Sequence, residues 1–129
     1  MRGPYTKLHV HFAWATWDRL PLITARLKEP LMASIEAKCG ELGATPLAIG
    51  LMPDHVHLLV RFPPALAIAV LAKEVKGASS HLMTHVVAAG EWFKWQGGYG
   101  AFTVSADDLP VVRAYPSAMY DVACSCLVW

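Results

Sequence analysis

A chain of 129 residues with a formal net charge of +1 has the length of one domain, too short for an eight-stranded β/α barrel of roughly 200 residues or more. Hydrophobic residues make up 55% and charged residues 16%, with a mean hydropathy of +0.37, which excludes a disordered chain. Eleven Lys and Arg against ten Asp and Glu exclude a protein that holds long duplexes by bulk electrostatics, so any nucleic-acid partner must be gripped locally. Charges, prolines or histidines interrupt every apolar stretch before the about 20 residues of a membrane span, and the N-terminus lacks the apolar core of a secretory signal. The expected location is the cytoplasm, with no membrane partner. Cys39, Cys124 and Cys126 show no CxxC spacing and match neither a disulfide framework nor a zinc ribbon.

Residues 8–17, LHVHFAWATW, read as a strand with His9 and His11 on one face and Val10 and Phe12 on the other. Between 23 and 42, Ile23, Leu27, Leu31, Ile35 and Leu42 fall near helical spacing, with Thr24 as cap, Pro30 as a kink and Gly43 as stop. The apolar run 45–52, the turn Pro53-Asp54 and the run 55–62 predict two strands joined tightly. After Pro63-Pro64, residues 66–87 form a second amphipathic helix, weakened at Gly77. Residues 91–100 are a glycine- and aromatic-rich loop, 101–105 a strand, and Asp107 and Asp108 cap a last helix through Tyr115. The order β-α-β-β-α-β-α predicts an α+β fold, a ferredoxin-like antiparallel sheet with helices packed on it, in a single domain over 1–129.

His-x-His occurs twice, at His9/His11 and His55/His57, and in a strand each pair shares a face at roughly 6.5 to 7 Å between Cα atoms. Two such imidazoles can converge on one metal ion. The second pair follows a Pro-Asp turn and precedes Leu58-Leu59-Val60, a rigid apolar strand that suits a metal site. A solvated polar strand face is the alternative for either pair. His11 reads as a hydrogen-bonded strand residue, and His81 and His85, four apart, as helix surface.

Met52-Pro-Asp-His55-Val-His57-Leu-Leu-Val60 resembles the histidine-hydrophobic-histidine signature of the single-tyrosine transposases of small bacterial and archaeal insertion sequences. Residues 5–19, YTKLHVHFAWATWDR, resemble that family's first strand; Lys73–Leu82 its Lys-Gly-x-Ser-Ser helix; and Trp95–Ser105 the lead-in to its last strand. The resemblance covers roughly residues 5–115. It implies metal-dependent endonuclease and strand-transferase chemistry on single-stranded DNA bearing a hairpin. Within it, His55 and His57 hold a divalent cation, Mg²⁺ or Mn²⁺, and Tyr115 is the nucleophile that leaves a 5′-phosphotyrosine and a free 3′-OH. It also implies a homodimer. Arg19, Lys73, Lys76, Lys94, Trp95 and Tyr99 are the candidate DNA contacts: Trp95 and Tyr99, with Trp92 and Phe93, could stack on bases, and the lysines could follow phosphates.

The tail departs from the resemblance. Pro116 directly follows Tyr115, Met119 stands where the family has a glutamine ligand, and residues 116–129 diverge, a pattern that a frameshift near the end of a transposase gene would produce. Proline disfavours the helical conformation at the residue before it, and a thioether is a poor ligand for Mg²⁺ or Mn²⁺. Asp121 is the nearest alternative ligand in sequence. Two other readings stand beside the enzyme: a hairpin-binding remnant without catalysis, and a small His-x-His metallohydrolase of cupin type, which the two long helices argue against.

Overall fold

The computed structural model describes residues 5–87 and 91–110. Strands β1 (Leu8–Ala15), β2 (Thr45–Leu51), β3 (His55–Phe62) and β4 (Gly100–Thr103) form one sheet in the order β2-β3-β1-β4, and every pairing is antiparallel. Helix α1 (Ala25–Glu41) links β1 to β2, and α2 (Ile68–Leu82), extended by a π-helical turn Met83–Val87, links β3 to β4. This is the split β-α-β arrangement expected from the sequence, the α+β ferredoxin-like sheet with helices on it.

Strand alternation sets the layers. Phe12, Trp14, Val56, Leu58 and Val60 face the helices and are fully buried against Leu31 and Ile35 of α1 and Leu71 and Val75 of α2. The opposite face of β1 and β3 carries His9, His11, His55 and His57, which face away from the helices yet are also buried, whereas Arg61 at its far end is exposed. Alanines 13 and 15 share that second face, as do Gly50 and Gly100 opposite His57 and Ala13, so no large cross-strand side chain competes with the imidazoles of His55 and His57.

Several expected boundaries move. β1 ends at Ala15, before Trp17, because the chain turns through a short 3₁₀ segment whose Asp18 and Arg19 both take positive φ, 52° and 55°. Thr24 occupies the N-cap position of α1 without a side-chain bond, and α1 runs on through Pro30, its sixth residue, which cannot donate the backbone bond to the Arg26 carbonyl but does not end the helix. α2 is likewise continuous through Gly77. In the final segment Ser105 is the cap: its hydroxyl accepts from the Asp108 backbone N–H, whereas Asp107 and Asp108 lie in the first turn. The rest of the expected last helix, through Tyr115, lies outside the described residues, as do Pro116, Met119, Asp121, Cys124 and Cys126.

Candidate functional site

The Pro53-Asp54 turn brings β3 back beside β2 and also locks onto the end of β1, where Thr16 donates its N–H to the Asp54 carbonyl at 2.9 Å and Ile23 donates to the Pro53 carbonyl at 3.0 Å. Asp54 is therefore fixed at the mouth of the sheet, directly before His55. Its carboxylate is shared: His55 Nδ1 donates to Oδ1 at 2.6 Å, and Arg19 Nε donates to Oδ2 at 3.1 Å. Burial alone would raise the Asp54 carboxyl, but the hydrogen bonds from His55 and Arg19 outweigh it and hold the group below its ordinary value. The positive φ of Arg19 belongs to the turn that carries its guanidinium to this carboxylate.

His57 lies two residues further along the same face, its ring 4.9 Å from that of His55 and nearly perpendicular to it. On its other side the ring of His11 stacks at 5.1 Å, tilted by 18°, and His57 Nδ1 meets His11 Nε2 at 3.2 Å. Burial lowers both His57 and His11 to about 4, so both are neutral at pH 7; in His57 the neighbouring His11 and His55 add to the effect. Two adjacent imidazoles, each with Nδ1 engaged by protein and Nε2 buried at the same end of the sheet, have the donor chemistry of a metal site. Among the described residues no three of His, Cys, Asp and Glu are grouped to complete such a site.

The other candidates divide. Lys94 is exposed beside this mouth, its ammonium 4.1 Å above the ring of the part-exposed Trp17, and the Trp17 N–H donates to the Lys94 carbonyl. Trp95 is not available to stack on a base: it is 7% exposed, packs edge-on against Trp14, and donates from Nε1 to Ser79 Oγ at 3.0 Å. Tyr99 packs on the core beside Phe12. Lys76 donates to the carbonyls of Gln96 and Gly98, both at 2.7 Å, and thus ties α2 to the segment before β4. Lys73 is exposed on α2, on the helix-bearing side of the sheet and so across it from the histidines. Arg19 is engaged with Asp54.

Sequence reasoning missed Asp54 as more than a turn former, the contact of His11 with His57, and Trp17 as the exposed aromatic of the mouth. A strand pattern fixes the face of His11, but only pairing with β3 fixes its neighbour.

The family model for IS200-like transposases matches residues 4–117 of the chain. The ISDra2 transposase TnpA of Deinococcus radiodurans is 26% identical over 125 residues, covering 93% of this chain and 89% of that protein. Among solved structures, a candidate transposase from Deinococcus radiodurans R1 aligns with a TM-score of 0.69 at 27% identity, over 92% of this chain and 95% of that one. A REP-associated tyrosine transposase bound to a REP hairpin aligns with a TM-score of 0.66 at 18% identity, over 95% of this chain and 73% of that one, and shares the fold.

Proposed function

The chain belongs to the IS200-like transposase family, and from that premise we propose that it is a metal-dependent endonuclease and strand-transferase acting on single-stranded DNA with a hairpin. The observation that carries the reading is the buried, oriented pair His55 and His57 at the mouth of the sheet, with Asp54 on one ring and His11 on the other. The residues fit a divalent cation: Nδ1 of each histidine is engaged by protein, so Nε2 is the nitrogen each would offer. When bound, Mg²⁺ or Mn²⁺ supplies positive charge for the phosphoryl oxygens. Asp54 and Arg19 keep His55 in place, and the neutral ring of His57 contributes no charge of its own to oppose the cation.

Tyr115 is the proposed nucleophile. Its phenolic oxygen, on losing its proton, forms a bond to the scissile phosphorus as the bond to the 3′ oxygen breaks, leaving a 5′-phosphotyrosine and a 3′-OH; rejoining reverses the exchange with a new 3′-OH. Lys94 and Trp17 at the mouth suit a phosphate and an unpaired base beside the site. The hairpin seen with the REP-associated relative supports a structured single-strand substrate. A homodimer acting in the cytoplasm completes the reading, with residues 1–129 as one domain.

The test is incubation of the protein with labelled hairpin oligonucleotides drawn from the flanks of its gene, with Mn²⁺ or with EDTA. A denaturant-resistant protein-DNA band that requires Mn²⁺ and is lost in Tyr115→Phe and His57→Ala is the expected result. His57→Ala should leave hairpin binding within about threefold, less than 1 kcal/mol. Pro116 and Met119 favour one second reading, a binding remnant. A gel shift by the unaltered protein without any covalent band, whatever the cation, would establish it.

A further inference from the structure

We propose that His11 is a positioning residue: it accepts a hydrogen bond from His57 and so holds His57 as the tautomer protonated on Nδ1, with the lone pair on Nε2. The purpose rests on the metal reading above, whereas the tautomer is a property of the metal-free chain.

His11 lies on β1, forty-six residues before His57 in the chain. Its direct cross-strand partners are Leu59 and Phe102, both apolar. A side chain that only filled this space would be apolar as well, since His11 is fully buried and its Nδ1 has no hydrogen-bond partner. Its Nε2 is spent on a single contact, the one with His57 Nδ1 at 3.2 Å, with the two rings stacked. Two neutral imidazoles that meet nitrogen to nitrogen share one proton, so one ring must donate and the other accept.

If His11 donated, His57 would carry its proton on Nε2, the nitrogen that a cation needs. If His11 accepts, His57 matches His55, whose Nδ1 proton is fixed by Asp54. In both arrangements Nδ1 of His11 lacks a partner, as a donor in one and an acceptor in the other, so that cost is similar for the two. Consistency with His55 selects acceptance. The pair would then have two orienting groups of different strength, a carboxylate on His55 and a neutral imidazole on His57.

The experiment is nitrogen-15 NMR of the histidine rings in the full chain with EDTA, the His57 signals being assigned by their loss in His57→Gln, followed by titration with Mn²⁺ alone. The unaltered protein should show His57 protonated on Nδ1. His11→Phe keeps a stacked ring but removes the acceptor; it should move the proton to Nε2 and weaken Mn²⁺ binding by roughly 10- to 100-fold. His11→Gln, which offers a carbonyl oxygen, should restore the Nδ1 tautomer and most of the Mn²⁺ affinity. His57 protonated on Nε2 in the unaltered protein overturns the proposal, and so does a tautomer that His11→Phe leaves unchanged. If the tautomer responds as expected but the unaltered chain binds no Mn²⁺, the assignment of His11 stands and the metal reading of the pair falls.

Discussion

At the scale of single residues, the histidines of the sheet couple protonation to stability. His11 and His57 have an ordinary value of 6.5 and are lowered to about 4 by burial. Between those values the unfolded chain binds more protons than the folded one, so stability rises with pH across the window. The metal-free protein should therefore have this contribution in full above about pH 6.5 and lose it as pH falls toward 4, by about 3 kcal/mol for one ring. Asp54, held below 3.8, adds to the loss only at still lower pH. Urea denaturation at a series of pH values between 7 and 4 checks this, and a flat midpoint would contradict it. The His-x-His pair was legible because two polar rings in an apolar strand stand out locally. The partners Asp54, Arg19 and His11 were not, because a turn residue, an arginine and a strand histidine carry no local mark of what they touch.

Elements show which local signals survive packing. Gly43 ends α1 with φ of +77°, where a side chain is strained although the space is open, the nearest atom to an added Cβ being Pro63 Cγ at 3.8 Å. Gly43→Ala should cost about 1 kcal/mol in chemical denaturation. The stop at Gly43 and the Pro53-Asp54 turn were readable because backbone chemistry at these residues restricts the chain regardless of surroundings. The aromatic loop was not, since its composition is the same whether it packs or stacks. In the fold Trp95 sits between Trp14, Phe93 and the hydroxyl of Ser79, which itself donates to the Val75 carbonyl at 2.7 Å. Trp95→Ala should accordingly lower stability by about 3–5 kcal/mol. A base-stacking role would instead leave thermal stability intact while weakening DNA binding. The Lys-Gly-x-Ser-Ser segment gains a structural reason here: Ser79 clasps Trp95, and Lys76 clasps the carbonyls beyond it.

Over the whole molecule, charge and layering set how a nucleic acid can be held. The net charge is +1, and two of the expected cations, Arg19 and Lys76, are engaged with protein oxygens. Few phosphates can then be neutralised by each chain, and hairpin binding should fall with salt at a logarithmic slope no steeper than about −3, as measured by gel shift over a range of KCl concentrations. The same layering separates Lys73 from the histidines, since α2 covers the other face of the sheet. No helix among the described residues is long and apolar enough to cross a membrane. The sequence alone determined the element order as far as β4, the face of each strand and the histidine pair, because periodicity and turn chemistry are local and each residue carries them with it. Only the tertiary structure decided that His11 meets His57, that Arg19 meets Asp54 across thirty-five positions, and that Trp95 lies inside. Those contacts depend on which strands pair and in what register, and that choice is made by the core as a whole.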